Sequence, residues 1–301
     1  MKNKKLFAIL KILISISILA ILIYKIGIIN IYDNIKTISN FAIILYLLTY
    51  IISWPLSSIN LILILHPLNI KIKFKEILYI RVFSWCIGLI SPGRIGEFSL
   101  VYLFKKKNIP TGIGSLVFIL DTLITLIIMS LISIIGFFTF FPTNQTLKLI
   151  IIITIPAIIL ILTIFTEKGR KLLIKLFLKK YASLFAGFST SLIKIIKEYK
   201  YLILNLILTT IKTISLSIIY YLLILEFGQS VSLYHVILIY SMTSLISLIP
   251  ITLSGLGIRE SASVYLYNLI GVNPTVIISI QIIYLTFNYT LATIAVLFYK
   301  N

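Results

Sequence analysis

Two short stretches decide how this chain folds: residues 91–97 read SPGRIGE, and residues 254–260 read SGLGIRE. Each interrupts a long apolar run with helix-breaking residues, an arginine and a glutamate. Lipid offers no water to freed backbone groups or bare charges, so such breaks survive at membrane depth only inside protein or against a wet cavity. The two stretches therefore predict broken helices that mark a substrate path.

The composition around these stretches is that of a membrane protein. The 301 residues are 60% hydrophobic, with a mean hydropathy of +1.13. Several apolar runs exceed the roughly 20 residues that cross a bilayer. We therefore predict an all-α fold, a polytopic transmembrane helical bundle that forms a single domain over residues 1–301. The run 6–29 lacks a small-residue cleavage site, so we expect a retained first helix rather than a signal peptide.

The charge of the chain is strongly positive, with 27 basic and 8 acidic residues and a formal net charge of +19. The bases cluster in loops between apolar runs, which predicts contact with anionic headgroups at the cytoplasmic face and no nucleic-acid partner. On the same rule, both termini are expected to be cytoplasmic in a multi-pass protein of the cell membrane. Cys86 is the single cysteine, and His66 and His235 are far apart, so we expect no disulfide, metal or cofactor.

The first break lies between two apolar pieces that are each too short to cross the membrane. Lysines flank both ends, so residues 77–104 are predicted to form a re-entrant hairpin that enters from the cytoplasmic side. One kinked full span is the alternative, and it would place lysines outside. The chain then divides into a first span and connector (6–40), a first repeat (41–140), a span with a basic cytoplasmic segment (141–200) and a second repeat (201–299) with its hairpin at 235–267.

The two hairpins resemble each other in sequence. Glu97-x-x-x-Val-Tyr-Leu matches Glu260-x-x-x-Val-Tyr-Leu, and a Pro-Thr pair follows each, at 110–111 and at 274–275. Because the second hairpin is predicted to enter from outside, the repeats are inverted, as in many secondary transporters. Chance similarity is the alternative, since a few residue types dominate the chain. The expected hairpin hinges are Pro92, Gly93, Gly96, Pro250, Gly255 and Gly257.

Six ionisable residues are expected deep in the membrane, and their charges sum to zero, as a folded membrane interior prefers. Arg94 and Arg259 present forked donors suited to a phosphate, aided by nearby helix N-termini. The acids can pair with those arginines, bind a substrate or carry a coupling proton. Glu97 and Glu260 can instead cap helices, and Arg94 with Glu97 can form a structural ion pair. The candidate substrate-binding residues are Arg94, Glu97, Asp121, Lys212, Arg259 and Glu260.

Two expectations concern single side chains near this set. Asp121 and Lys212 lie at similar depth in their spans, and they are expected to pair with each other or with the hairpin tips. Arg81 is expected to be shallower and to extend towards lipid headgroups.

Together the two motifs, PGRIGE at 92–97 and GLGIRE at 255–260, resemble the lysylphosphatidylglycerol synthase transmembrane-region family over most of the chain. The resemblance implies movement of lipids between leaflets: aminoacylated phosphatidylglycerol in bacterial fusion proteins and polyprenyl- or dolichyl-linked sugars in archaeal relatives. A separate soluble domain attaches the amino acid in the fusion proteins. This chain ends at Asn301 without one, so we expect no aminoacyl transfer. The family often has an acid beside an arginine in the span after the first motif, whereas Thr122 follows Asp121 here.

The leading functional prediction is a lipid flippase that moves a phosphate-bearing lipid, either a polyprenyl- or dolichyl-linked sugar or a modified phospholipid. No catalytic motif occurs, so an enzyme is not expected, although a lipid-modifying enzyme active at the tips is one alternative. Another is an accessory membrane subunit that binds a glycosyltransferase or synthase through the basic segment 167–200.

Overall fold

The structure is a computed structural model. It describes residues 2–144 and 185–297, together with 147, 163, 165, 166, 168, 169 and 171, and gives side chains from residue 12 onward. In this part the chain forms eleven α-helices and no β-sheet, so the all-α prediction is confirmed. Most of the predicted span at 149–166, and residues 167, 170 and 172–184 of the basic segment, fall outside the described residues. The helices are α1 Lys2–Ile26, α2 Ile28–Lys36, α3 Asn40–Leu65, α4 Phe74–Leu89, α5 Ser99–Lys106, α6 Thr111–Phe140, α7 Phe188–Lys197, α8 Tyr199–Glu226, α9 Leu233–Ile246, α10 Ile258–Asn268 and α11 Pro274–Leu297.

Four of the described helices, α3, α6, α8 and α11, are long and apolar enough to cross a membrane, and α1 with α2 makes a fifth candidate if the bent pair is one span. The protein is therefore a multi-pass membrane protein. The two parts of the bent pair meet at 85°. The sequence predicted a straight span to residue 29, but Gly27 has φ 97° and interrupts the α-helix there.

The centre of the bundle is an antiparallel pair of helices, α3 and α8. Ser57 contacts Lys212, Asn60 contacts Thr209, and the His66 ring stacks on Tyr201 at 4.4 Å. Residue numbers rise along α3 as they fall along α8, so the two helices run in opposite directions.

Two apolar cores lie at opposite ends of this central pair. The first core gathers the start of α3 and the end of α8 with parts of α9, α10 and α11, including Leu45, Tyr46, Leu223, Ile239, Tyr267 and Ile277. The second core gathers the end of α3 with parts of α4, α5, α6 and α7, including Leu61, Ile64, Ile77, Phe104, Leu116 and Ile195.

The two broken-helix pairs enter the bundle from these opposite ends. The α4–α5 pair belongs to the second core and the α9–α10 pair to the first, and their breaks meet between the cores. There Pro92 and Leu253 form an antiparallel bridge, and the Ser254 N–H donates to the Ser91 carbonyl at 3.0 Å. Gly93 permits the close approach, because a Cβ at this position would lie 2.8 Å from the Leu248 carbonyl oxygen.

The first helix packs against the second break. The Leu253 N–H donates to Ser15 Oγ at 3.0 Å. Gly257 has φ 84°, and a Cβ there would lie 2.9 Å from Ile18. The absence of a side chain at Gly257 thus leaves room for α1. Its positive φ is also one that residues with a side chain rarely adopt.

Candidate functional site

The first break presents Arg94 and Glu97 from a tight turn. The Gly96 N–H donates to Ser91 Oγ at 2.7 Å, and a 3-10 turn over Ile95–Phe98 leads into α5. Arg94 itself has φ 59°, in the left-handed region. A non-glycine residue there costs on the order of 1–3 kcal/mol, so the surrounding contacts must hold this conformation.

An ion-pair network surrounds this break. Glu97 lies between two guanidinium groups, with Arg94 Nε 2.8 Å from Oε1 and an Arg81 Nη1 3.5 Å from Oε2. The same Arg81 nitrogen lies 3.6 Å from Asp121 Oδ2. Arg81 therefore links the break to α6, and its predicted extension towards headgroups is wrong. Two carboxylates held inside the bundle attract the guanidinium more strongly than the distant interface does.

Lys212 lies beside this network without joining it. Its ammonium donates to Ser57 Oγ at 3.1 Å, and no carboxylate of the described residues lies within 4.0 Å of its Nζ. Both Lys212 and Asp121 are buried. Asp121 pairs with Arg81 instead, and its Oδ1 has no hydrogen-bond partner within the described part of the chain.

The second break uses its acid differently. Glu260 Oε2 accepts the Gly257 N–H at 2.6 Å at the start of α10, so the glutamate caps the backbone of the residue that precedes the helix. The side chain is 2% exposed. Helix capping, the alternative role raised from the sequence, is thus the role that the geometry displays for Glu260.

Arg259 has aromatic neighbours rather than an acidic partner. Its guanidinium carbon lies 5.2 Å from the centre of the Tyr284 ring, a cation–π contact. Within the described residues Arg259 forms no ion pair, and its buried Nε has no hydrogen-bond partner. Arg259 also lines a second small cavity, together with Tyr220 and Tyr240.

Both arginines line one cavity. Arg94, Arg259 and Glu260 lie on its wall, and the other lining residues include Trp85, Ser247, Ser254, Tyr284 and Asn288. Its volume is about 50 Å³. Ligand sites typically measure roughly 300–1,000 Å³, so the cavity in this arrangement is smaller than a typical ligand site.

The charges of the site do not cancel when Arg81 is counted. Four cations, Arg81, Arg94, Lys212 and Arg259, face three carboxylates, whereas the sequence prediction summed to zero without Arg81. When Lys212 is protonated, the site carries one excess positive charge, which favours an anion in the cavity. Arg81 could have been found from the sequence, because it is the single charged residue within the apolar stretch 77–90.

The aromatic side chains around the site were also missed by sequence reasoning. Tyr50 packs against both tryptophans of the chain, with ring centroids 5.3 Å from Trp54 and 5.8 Å from Trp85. Its hydroxyl donates to Asn288 Oδ1 at 2.8 Å, and its ring stacks on Tyr284. This cluster supports one wall of the cavity. Among the described residues no group of three or more His, Cys, Asp or Glu side chains is placed to hold a metal.

No curated protein matches the chain significantly. The family model for the lysylphosphatidylglycerol synthase TM region matches residues 8–295, which is nearly the whole sequence and includes both breaks. The chain therefore belongs to the lysylphosphatidylglycerol synthase transmembrane-region family.

Proposed function

We propose that this protein is a lipid flippase that moves a phosphate-bearing lipid between the leaflets of the cell membrane. The observation that carries the proposal is the meeting of two breaks from opposite ends, which puts Arg94 and Arg259 on one cavity. Two guanidinium groups can offset the cost of moving a phosphate through the bilayer. Membership of a family linked to lipid modification supports the same substrate class.

The packing of the helices supports an inverted repeat with two re-entrant hairpins. The first helices of the two proposed repeats, α3 and α8, run antiparallel. In addition, α4 packs on α11 and α9 packs on α6, so each hairpin touches the last helix of the other repeat. These reciprocal contacts are those of a two-fold axis that crosses the helices, the symmetry typical of inverted-repeat transporters.

The distribution of lysines supports cytoplasmic termini. The lysines at the end of the second core lie before α4 and in its first turn, and at the ends of α5 and α7: Lys71, Lys73, Lys75, Lys105, Lys106, Lys107, Lys194 and Lys197. By the positive-inside rule this end is cytoplasmic. Ile35 and Ile38, which follow α1, pack against the first core, and Val276 and Ile277, at the start of α11, lie in it, so α1 begins and α11 finishes at the opposite end.

In the proposed cycle the headgroup phosphate binds between Arg94 and Arg259 while the lipid tails stay in the membrane. The contact between Pro92 and Leu253 opens towards one end and then towards the other as one repeat rocks against its partner. Trp85, Tyr284 and Asn288 lie beside the arginines and are placed to contact the remainder of the headgroup. A sugar or a modified glycerol headgroup are both compatible with this wall.

Lipid movement by purified protein tests the proposal. The protein is reconstituted in phosphatidylcholine–phosphatidylglycerol liposomes with a trace of phosphatidylglycerol labelled on its acyl chain, and dithionite quenches label in the outer leaflet. We expect wild-type protein to expose inner-leaflet label, and Arg94→Ala or Arg259→Ala to slow this at least about tenfold, equivalent to about 1.4 kcal/mol. Wild-type rates in both variants would contradict the proposal.

Matched controls distinguish the loss of the phosphate-binding arginines from unspecific effects of removing a positive charge. Lys200→Ala removes a cation that is exposed and pairs with Glu198 at the start of α8, and it should leave transport unchanged. Labelled glucosylceramide, which lacks phosphate, should not move. Arg94→Lys keeps the charge but not the forked donor, so it should recover only part of the rate.

The accessory-subunit alternative rests on the basic segment 167–200, of which α7 is described. Ile193 and Ile196 are exposed there beside Lys194 and Lys197, while Ile195 is buried. Apolar side chains next to lysines suit the headgroup region of a membrane as well as they suit an enzyme. Copurification of a glycosyltransferase or synthase that is lost on neutralising these lysines, without lipid movement by the isolated chain, would favour the alternative.

A further inference from the structure

The charges of the groups around the cavity sum to zero only when all three carboxylates are ionised and Lys212 is neutral. Three guanidinium groups, Arg81, Arg94 and Arg259, face three carboxylates, Glu97, Asp121 and Glu260, so these six cancel when all are ionised. Lys212 then sets the net charge of the site. A neutral Lys212 amine leaves the empty site uncharged, whereas a Lys212 ammonium balances one bound anion.

We propose that Lys212 takes up one proton with each anionic lipid headgroup and releases it on the opposite side, so that the protein is an electroneutral proton–lipid symporter. This proposal rests on the proposed flippase function, and it identifies a proton gradient across the membrane as the energy source of transport. No bond other than N–H changes: the amine binds a proton from the aqueous phase to which the site is open, and the ammonium returns it after the headgroup leaves. Both the empty and the loaded site are then uncharged when they rearrange within the bilayer, where a net charge is costly.

Lys212 is the suitable carrier because of its surroundings. Within the described part of the chain its Nζ donates only to the neutral Ser57 hydroxyl, whereas Arg81, Arg94 and Glu97 are held in ion pairs. A guanidinium keeps its proton in proteins, but a buried lysine can exist as the free amine. Lys212 is 8% exposed, so its ammonium is largely removed from water.

The charged groups that act on Lys212 come from three neighbouring elements. Asp121 on α6 favours the ammonium together with Glu97, while Arg81 on α4 and Arg94 in the first break oppose it. Of the other helices packed on α8, α3 contributes the Ser57 hydroxyl, and α9 and α11 present Tyr240 and Tyr284 to Arg259. An anion beside Arg94 adds negative charge to this balance and therefore favours protonation.

Polar side chains between α3 and α8 continue from Lys212 towards the basic end of the bundle. Asn60 donates to Thr209 at 2.9 Å, Thr209 donates to Asn205 at 3.3 Å, and Asn205 donates back to the Asn60 carbonyl at 2.9 Å. All three are fully buried, and Asn60 Oδ1 has no partner within the described part of the chain. Buried polar groups thus extend along α3 and α8 from Lys212 in the direction of the basic end.

A pH gradient across reconstituted vesicles tests the proposal. The liposomes, the labelled phosphatidylglycerol and the dithionite assay are those of the transport experiment, with the inside held one pH unit above the outside. One proton per lipid allows up to about tenfold accumulation of label in the inner leaflet. A potential imposed with potassium and valinomycin should produce no accumulation, because no net charge moves.

Lys212→Met and Lys212→Arg are the informative variants, because one removes the charge permanently and the other makes it permanent. Both should abolish pH-driven accumulation, whereas Lys200→Met, at the exposed start of the same helix, should retain it. A second readout is calorimetric titration with dioctanoylphosphatidylglycerol in two buffers of different ionisation enthalpy. Binding should take up about one proton in the wild type and none in either Lys212 variant.

The outcomes separate the two proposals. Lipid movement without accumulation under the pH gradient, or lipid binding without proton uptake, would overturn proton coupling. Neither result would contradict the flippase proposal. Coupling that survives in a correctly folded Lys212→Met protein would overturn the assignment to Lys212. Absence of lipid movement under every condition would overturn the flippase function and proton coupling with it.

Discussion

Arg81 holds two carboxylates at once, the half-buried Glu97 in the first break and the buried Asp121 on α6. Asp121 has no other ion-pair partner among the described residues, whereas Glu97 also pairs with Arg94 at the shorter distance of 2.8 Å. The orientation of the break relative to α6 therefore depends on a guanidinium that the sequence argument placed near the membrane surface.

Replacing Arg81 with glutamine should destabilise the protein by about 3–5 kcal/mol, because an uncompensated carboxylate remains buried. Thermal unfolding in detergent measures this loss. The double variant Arg81→Gln/Asp121→Asn removes a charge of each sign and should recover part of the stability. Additive losses in the double variant would contradict a direct interaction between Arg81 and Asp121.

Glu260 is expected to act through its hydrogen bond to Gly257 rather than through its charge. Glu260→Ala should lower the stability of the protein by about 1–2 kcal/mol, the usual cost of losing a helix cap. Glu260→Gln keeps an acceptor oxygen and should stay within about 0.5 kcal/mol of the wild type. Equal losses in the two variants, measured by thermal unfolding, would instead assign the stability to the carboxylate charge.

The broken-helix pairs are joined by backbone contacts that demand small residues. Gly93 approaches the chain around Leu248 and Pro250 so closely that a side chain has no room. Each break is therefore a turn within its own helix pair and also one side of an interface with the other break. This contact limits the shape that each break can adopt.

Gly93→Ala should destabilise this interface. The new Cβ would meet the Leu248 carbonyl at 2.8 Å, at a φ of 53° that disfavours a side chain. We expect a loss of about 2–4 kcal/mol, combining backbone strain and overpacking. Gly228→Ala is the matched control: its φ is 72° but nothing lies within 4 Å, so it should show the strain alone, about 1 kcal/mol. Equal losses at the two positions would argue against a tight interface.

The molecule as a whole has its polar contacts concentrated midway between two apolar cores. The present arrangement keeps the breaks in contact and the cavity small. A transporter must open this contact, so the separation of the breaks is the motion on which the proposed cycle depends.

A disulfide across the breaks should stop transport. Antiparallel bridge partners such as Pro92 and Leu253 have Cα atoms roughly 4.5–5.5 Å apart, within the range that a disulfide spans. In a Cys86→Ser background, Pro92→Cys/Leu253→Cys should lose lipid movement on oxidation and regain it with reductant. Each single cysteine variant should be insensitive to oxidation. Full transport by the oxidised double variant would show that the breaks need not separate.

The proposed inverted repeat predicts that the ends of the two hairpins are exposed on opposite sides of the membrane. In the Cys86→Ser background, an impermeant maleimide should reach Lys105→Cys, at the end of α5, from the cytoplasmic side. It should reach Asn268→Cys, at the end of α10, from the outer side. Vesicles of the two orientations provide the measurement, and labelling of both positions from one side would refute the inverted repeat.

Much of the fold was predictable because it follows from local composition and bilayer thickness. Apolar runs of sufficient length predict spanning helices, and the interruptions at 91–97 and 254–260 predict breaks that hold deep charges. The partners of those charges were less predictable. Counting residues along one helix estimates the depth of a side chain but not which neighbouring helix it faces.

The amino-acid sequence thus sufficed for an all-helical membrane protein with two charged interruptions, because those properties depend on residues close together in the chain. Contacts between distant segments could be identified only from the folded molecule. They include Arg81 with Asp121, Ser15 with Leu253, and Arg94 with Arg259 across one cavity. Similar apolar helices can pack in many registers with nearly equal hydrophobic contact. Ion pairs, buried hydrogen bonds and close glycine contacts select one register, and they exist only once the helices have packed.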